Sequence, residues 1–155
     1  MAADSAALRM REDTRHLPET VERLMDSTLD SVDQAEEFTS AAAQRAGFDE
    51  DELMRMGMAI REAMVNAVVH GNQYNANKRV RLSISSTPDR FTVVITDEGT
   101  GFDFSHIPDP LAPENLLRTS GRGIFLMRSF MDHVDLKQLE SGGTEVTLVK
   151  NVESK

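Results

Sequence analysis

Two pairs of short β-patterned segments constrain the fold of this chain more than any other feature of its sequence. The first pair is residues 79–84, where apolar and polar side chains alternate, and the apolar run Phe91–Thr96. The second pair is Val134–Leu139 and Thr144–Val149. Each pair is joined by turn-forming residues, so its two strands run antiparallel. Two such pairs exclude an all-parallel sheet.

Helical patterns occupy the regions before and between these pairs. The clearest begins at Asp49, where Glu52 completes a capping box, and we expect it to end at Gly71-Asn72. Its apolar residues recur at spacings of three and four, which marks one buried stripe: Leu53, Met56, Ile60, Met64, Ala67 and Val68.

Three further elements complete the predicted order. Arg23–Ser27 is interpreted as a short first strand. An earlier helix is predicted from Ser31, with Gln34 as the partner in a capping box, to a stop at Gly47. A third helix is predicted over Ile124–Met131, after Gly121-Arg122-Gly123.

The predicted order is strand, two helices, two strands, a long loop, one helix and two strands. This order indicates an α+β fold, a two-layer α/β sandwich whose mixed, mostly antiparallel sheet carries helices on one face. A length of 155 residues favours one domain. We expect residues 1–19 to be a flexible segment, residues 20–150 to form the domain and residues 151–155 to be a tail.

Composition narrows the class of protein. The chain has no cysteine, which excludes disulfides and cysteine-based zinc sites. Its net charge of −9 disfavours nucleic-acid binding, which needs clustered basic residues. The excess of acidic groups in residues 1–50 is compatible with a solvated helix face or with a docking surface for a basic partner. We find no apolar stretch suited to a membrane span or signal peptide, so a cytoplasmic location is expected.

A row of polar side chains on the long helix has the composition of a metal-phosphate site. Glu62, Asn66 and His70 are four residues apart and therefore stack on one face. Mg²⁺ prefers oxygen ligands, which an Asn side chain and phosphate groups supply, and a neighbouring carboxylate can act as a general base. The same row is also compatible with a polar helix edge facing solvent. For His70 we favour a role at the helix C-terminus, where a cation suits the helix dipole.

Three glycine-containing segments accompany this row. Asp97-Glu98-Gly99-Thr100-Gly101 follows an apolar strand directly, so that its carboxylate can accept a hydrogen bond from an exocyclic amine. Ser120-Gly121-Arg122-Gly123 runs into a helix, whose free N–H groups favour phosphate. Gly143-Thr144 opens the last strand and presents a hydroxyl. Taken singly, these segments are equally compatible with ordinary turns.

In this order and spacing, the row and the three segments resemble the ATP-binding boxes of the GHKL (Bergerat-type) ATPases over about residues 20–150. That superfamily includes gyrase, large heat-shock chaperones, mismatch-repair proteins and histidine kinases. Arg61–Gly71 and Gly121–Asp132 are similar to the corresponding segments of bacterial anti-sigma factor serine kinases.

The resemblance implies a role for each matching residue. Glu62 would be the general base, and Asn66 would bind Mg²⁺ and the nucleotide. Asp97 would accept from the adenine amino group, with Gly99 and Gly101 shaping its surroundings and Thr144 supporting the contact. The phosphates would be held by Gly121, Arg122 and Gly123, and Phe102–Ser120 would be the ATP lid.

The resemblance also implies an activity and partners. The expected protein is an ATP- and Mg²⁺-dependent serine kinase and anti-sigma factor. It would phosphorylate a serine of an anti-anti-sigma (STAS-type) protein, sequester a sigma factor and form a homodimer. The alternative is a nucleotide-gated binding module that switches partners without significant phosphotransfer. Glu62 favours the kinase, because ATP sensing alone needs no base.

Overall fold

The computed structural model of the chain describes residues 19–99 and 119–153. Within those residues the elements are β1 (Glu19–Asp26), α1 (Leu29–Arg45), α2 (Glu50–Val65), a π-helix (Asn66–Gly71), β2 (Arg79–Ser86), β3 (Arg90–Thr96), α3 (Thr119–Phe130), β4 (His133–Gln138) and β5 (Thr144–Asn151). Among them is no helix with the length and apolar character needed to cross a membrane.

The five described strands form one sheet in the order β1-β2-β3-β5-β4. All four pairings are antiparallel, which confirms the expected mostly antiparallel sheet. β3 lies at the centre, as its apolar sequence predicts. The C-terminal end of β3 lies next to the N-terminal end of β5, where Thr96 pairs with Glu145.

One face of the sheet is covered by the helices. The inward side chains of β2, β3 and β5 alternate with partly exposed ones, as in a sheet with one solvated face. They form one apolar core together with side chains of all three helices. The largest buried side chains of this core include Phe91, Met56, Ile60, Met64, Leu82 and Met127. The two-layer α+β sandwich is therefore confirmed, with helices on one side.

The first strand and first helix begin earlier than their sequences suggest. β1 starts at Glu19 and pairs with β2 along its whole length. The N-cap of α1 is Thr28, whose hydroxyl accepts from the Ser31 amide, so the predicted start at Ser31 is wrong by two residues. The cause is an inverted pattern in the first turn, where Leu29 is 55% exposed and Ser31 is 2% exposed.

The predicted cap of the second helix is confirmed. Asp49 accepts from the Glu52 amide at 2.8 Å, and α2 begins at Glu50. The third helix, in contrast, begins at Thr119 and not at Ile124. Gly121, Arg122 and Gly123 thus lie inside its first turns. The predicted start was too late because glycine has a low helix propensity. In the folded chain, tertiary packing overrides that propensity at Gly121 and Gly123.

The C-terminal part of the long helical segment is a π-helix. Over Asn66–Gly71 the turns are wider than in α2, and the Asn72 amide donates to the Ala67 carbonyl, five residues back, at 2.8 Å. Gln73 and Tyr74 then take positive φ values of 51° and 58° and reverse the chain. The expected end at Gly71-Asn72 is correct, but the last turn is not α-helical.

Four predictions lie wholly or partly outside the described residues. They are the flexible N-terminal segment at residues 1–18, Gly101, the lid at residues 102–118 and the tail at residues 154–155. The last two residues of the predicted lid, Thr119 and Ser120, belong to α3.

Candidate functional site

Helix α2 and the π-helix form one wall of the candidate site. Glu62 and Asn66 are half-buried, one turn apart on this wall. The first turns of α3 lie against them, because a Cβ placed on Gly123 would be 3.0 Å from Glu62 Oε2 and 3.7 Å from Asn66 Nδ2. Glycine at 123 therefore lets the positive end of α3 approach the carboxylate and the amide together.

Asp97, directly after β3, is a buried carboxylate at the other end of the wall. Its Oδ1 accepts from the Gly99 amide at 3.0 Å and from the Thr144 amide at 3.1 Å. Burial raises the pKa of Asp97 above its ordinary value of 3.8, and these two amides and Lys78 oppose the rise. Both amide donors bind Oδ1, which leaves Oδ2 directed towards Gly71.

Three glycines bring distant backbone segments into contact around Asp97. A Cβ on Gly71 would lie 2.5 Å from Asp97 Cγ, and one on Gly99 would lie 2.5 Å from the Gly71 carbonyl carbon. On Gly143 it would collide with the Asp97 carbonyl group. None of the three has a positive φ, so close approach and not backbone conformation requires glycine.

Thr144 lies beside Asp97 and carries an unused hydrogen-bonding group. Its amide donates to the carboxylate, and its carbonyl accepts from the Asp97 amide at 3.0 Å. Its side-chain Oγ1 is buried without a partner in the described part of the chain. A buried hydroxyl of this kind is costly unless something binds it. The Thr144 hydroxyl and the Asp97 carboxylate thus fit a ligand that both donates and accepts hydrogen bonds.

The structure joins most of the residues that the sequence singled out. Glu62, Asn66 and Gly123 meet at one end, while Asp97, Gly99 and Thr144 meet at the other. Gly121 lies in the first turn of α3, and Arg122, next to it, is exposed. His70 is also exposed, on the π-helix.

The two ends belong to the same helical wall. From Glu62 to Gly71, which touches Asp97, the helical segment rises roughly 13 Å at 1.5 Å per residue. This separation is of the order of the length of an extended nucleoside triphosphate. The arrangement therefore places a buried hydrogen-bond acceptor at one end and the first turns of α3 with a carboxylate at the other.

Gly71 and Asn72 were predicted only to end a helix and received no role in the site. Gly143 was predicted as part of the Gly143-Thr144 segment, but its close contact with Asp97 was not. Each acts through contact with the Asp97–Gly99 loop, which is distant in sequence. For Gly71 the sequence did contain a signal, because this glycine ends the same helix that carries the polar row of Glu62, Asn66 and His70.

A cleft of about 560 Å³ opens on the helix-free face of the sheet. Its lining includes Leu24, Arg81 and Thr96, which are neighbours across β1, β2 and β3. Asp97 also lines it, whereas Glu62 and Asn66 do not, so the cleft borders only the Asp97 end of the candidate site.

Comparison with known proteins identifies the domain. Residues 25–150 match the family of histidine kinase-like ATPase domains. The chain is 32% identical over 117 residues to the serine-protein kinase RsbW of Bacillus subtilis, covering 72% of each protein. It is 34% identical over 134 residues to the anti-sigma F factor of Bacillus thuringiensis, covering 81% of this chain and 90% of the relative.

A solved structure shows the same fold. The crystal structure of the RsbU and RsbW domains of a Mycobacterium tuberculosis protein superimposes with a TM-score of 0.59 at 14% identity. The match covers 85% of this chain and 31% of that one. With the sequence matches and the geometry of the site, it follows that the chain belongs to the histidine kinase-like ATPase family, among the relatives of serine-protein kinase RsbW and anti-sigma F factor.

Proposed function

We propose that this protein is an ATP-dependent serine protein kinase and anti-sigma factor. It phosphorylates a serine of an anti-anti-sigma (STAS-type) protein and sequesters a sigma factor. The names of its relatives support this function. The observation that carries it is the pairing of Glu62 with the first turns of α3 at one end of a helical wall whose other end holds Asp97.

The adenine end is formed by Asp97, Gly99 and Thr144, and Gly101, outside the described residues, would contribute to it. Asp97 Oδ2 accepts from the exocyclic amino group of adenine, since Oδ1 already accepts two backbone amides. The Thr144 hydroxyl, which has no partner among the described residues, supplies a second polar contact to the base. An acceptor at this position selects adenine over guanine, whose carbonyl oxygen would face the carboxylate.

The phosphate end is formed by the start of α3. The positive helix terminus and the free amides of the first helical residues, up to Gly121, suit the phosphate oxygens, and Arg122 and Gly123 complete the segment that would hold them. Asn66 would hold Mg²⁺ through its side-chain oxygen, with phosphate and water oxygens as the remaining ligands. When bound, the ion neutralises the charge of the phosphates.

Glu62 acts on the protein substrate. Its carboxylate accepts the proton of the serine hydroxyl while the serine oxygen forms a bond to the γ-phosphorus and the bond to the β,γ-bridging oxygen breaks, releasing ADP. The half-buried position of Glu62 against Gly123 holds it next to the phosphate end. Positioning and charge neutralisation supply the rest of catalysis in phosphoryl transfer.

The domain bounds, the oligomeric state and the cellular location are proposed from the resemblance to the family. We infer that residues 20–150 form the kinase domain, that it acts as a homodimer and that it operates in the cytoplasm. The segment 102–120 would close over the nucleotide as a lid.

Phosphotransfer from radiolabelled ATP to a candidate anti-anti-sigma protein of the same organism tests the proposal. We expect label on a serine of the partner, and none when that serine is replaced by alanine. Glu62→Ala should reduce transfer by about 10²-fold or more while ATP still binds. Full transfer by Glu62→Ala would remove Glu62 as the base. ATP binding without label on any candidate would favour the nucleotide-gated binding module instead.

A further inference from the structure

Asn72 is a buried side chain that connects four segments of the chain. It is 1% exposed and directly follows the π-helix. Its Nδ2 donates to Ser27 Oγ at 2.9 Å and to the Arg79 carbonyl at 3.0 Å. Its Oδ1 accepts from the Glu98 amide at 2.8 Å. The amide group thus ties the end of β1, the start of β2 and the loop after β3 to the helical wall.

The orientation of the Asn72 amide is fixed by its partners. A backbone N–H only donates and a backbone carbonyl only accepts, so oxygen must face Glu98 and nitrogen must face Arg79. Ser27 extends the network, because its hydroxyl donates to the Lys78 carbonyl at 2.6 Å. The nitrogen of this buried amide donates both of its hydrogens, and the oxygen accepts one hydrogen bond. The connection of the loop to the strands and the helical wall is therefore rigid.

We propose that Asn72 is a positioning residue for the adenine end of the site. Glu98, whose amide it binds, lies between Asp97 and Gly99. The Glu98 carboxylate accepts from the Arg79 amide at 2.5 Å, which fixes the same loop to β2 from its exposed side. Asn72 itself is anchored by its own amide, which donates to Ala67. The loop that presents Asp97 is therefore held from the helical wall by one side chain.

Loss of the Asn72 amide frees the loop at the residue next to the base-binding carboxylate. In Asn72→Ala the Glu98 amide and the Arg79 carbonyl lose their side-chain partner. Either group must find water or another partner, so the loop moves. Movement at Glu98 displaces Asp97, and a misplaced acceptor no longer distinguishes the adenine amino group from the guanine carbonyl oxygen.

The expected effect is on nucleotide selectivity, and it rests on the proposed function. The ratio of GTP to ATP dissociation constants separates positioning from a general loss of folded protein. Partial unfolding weakens the apparent binding of both nucleotides by the same factor, because both bind only the folded state. The ratio is therefore unchanged by instability alone. We expect Asn72→Ala to lower it by about 10-fold, mainly through weaker ATP binding.

The measurement is calorimetric titration of the full chain with Mg-ATP and with Mg-GTP, without any protein partner. Asn75→Ala is the matched control, since Asn75 is exposed and its side chain, within the described ranges, accepts a hydrogen bond only from the Asn77 amide. Ile84→Ala, in the core and paired with Val93 in the sheet, is the control for lost stability, because Ile84 makes no side-chain hydrogen bond to the loop. If Asn72→Ala does not fold, Asn72→Ser carries the same test, because its shorter side chain does not reach the Glu98 amide.

Each outcome has one interpretation. A lower ratio in the Asn72 variant, with wild-type ratios in Asn75→Ala and Ile84→Ala, supports the proposal. A wild-type ratio in the Asn72 variant overturns it and leaves the proposed function intact. Failure of the wild-type chain to bind ATP overturns both. An equal fall of the ratio in Ile84→Ala shows general loosening and also overturns the positioning role.

Discussion

Replacement of Gly71 by alanine should damage nucleotide binding through a single methyl group. Gly71 ends the π-helix and is buried against the Asp97 carboxylate. A Cβ at this position would lie 2.5 Å from Asp97 Cγ and 2.9 Å from Oδ1. The backbone φ of Gly71 is not positive, so alanine meets no conformational penalty there. The perturbation is therefore steric and directed at one side chain.

The size of the displacement follows from these distances. An ordinary carbon contact is 3.4 Å or longer, so Asp97 Cγ must move by about 0.9 Å. Its two amide hydrogen bonds, from Gly99 and Thr144, hold it in place and stretch in consequence. A shift of this size at a binding group is expected to weaken ATP binding by about 10²-fold. Crowding destabilises the fold by about 1–3 kcal/mol, and the better helix propensity of alanine offsets about 1 kcal/mol.

Gly57→Ala on the same helical segment is the matched control. A Cβ there would lie 3.0 Å from Glu36 Oε1, the end of a flexible side chain that can move away. Helix propensity then favours the alanine by up to about 1 kcal/mol. Calorimetric titration with ATP and thermal unfolding of both variants give the comparison. We expect wild-type ATP affinity and an equal or higher Tm for Gly57→Ala, and a large loss of affinity for Gly71→Ala.

ATP binding by Gly71→Ala as tight as that of the wild type would contradict a steric displacement of Asp97. An equal loss of affinity in Gly57→Ala would also contradict it, since the effect would then belong to alanine in the helix and not to contact with Asp97.

Two other substitutions test the two ends of the site. Gly123→Ala places a Cβ 3.0 Å from Glu62 Oε2, so we expect phosphotransfer to fall about 10-fold or more with less than about 3-fold change in ATP affinity; equal rates would contradict this. Burial raises the pKa of Asp97, so the folded state holds that proton more tightly than the unfolded chain. Wild-type stability relative to Asp97→Asn should therefore fall as the pH rises through the folded-state pKa, and thermal melts without nucleotide from pH 4 to pH 7 measure it. A difference in Tm that stays constant with pH would refute the assignment, as would undiminished ATP binding by Asp97→Asn.

The sheet was predictable because its pattern is local. Alternating burial in β2 and β3 follows directly from the alternating sequence, and the central place of β3 follows from its apolar character. The N-terminal half of β1 was not predictable in the same way. Glu19–Glu22 is mostly polar and belongs to an edge strand, where backbone pairing with β2 extends the strand beyond its apolar residues. Arg23 gains a further contact over the Phe38 ring at 4.7 Å.

The residues of the candidate site also fall into two groups, those predictable from a local sequence pattern and those that depend on contacts between distant segments. Glu62, Asn66 and Asp97 are recognisable because their chemical types and spacing are unusual in a helix face and a strand end. Gly71 and Asn72 carry no chemistry of their own and matter through contacts with Asp97 and Glu98. Those contacts join segments more than twenty residues apart, which a local pattern does not contain. The tertiary fold shows which residues at the helix end make these contacts.

The π-helix of Asn66–Gly71 sets the helical phase of the site. A π-turn carries one more residue than an α-turn, so side chains before and after it point along different rows of the same rod. Glu62 and Asn66 belong to the row facing α3, whereas Gly71 is rotated towards the sheet and Asp97. If the same residues formed an α-helix, Gly71 would lie about 100° further around the helix axis, because each turn would hold one residue fewer. The extra residue in this turn thus sets the rotation of Gly71 about the helix axis, so that one continuous helix can contact the two ends of a ligand from different sides.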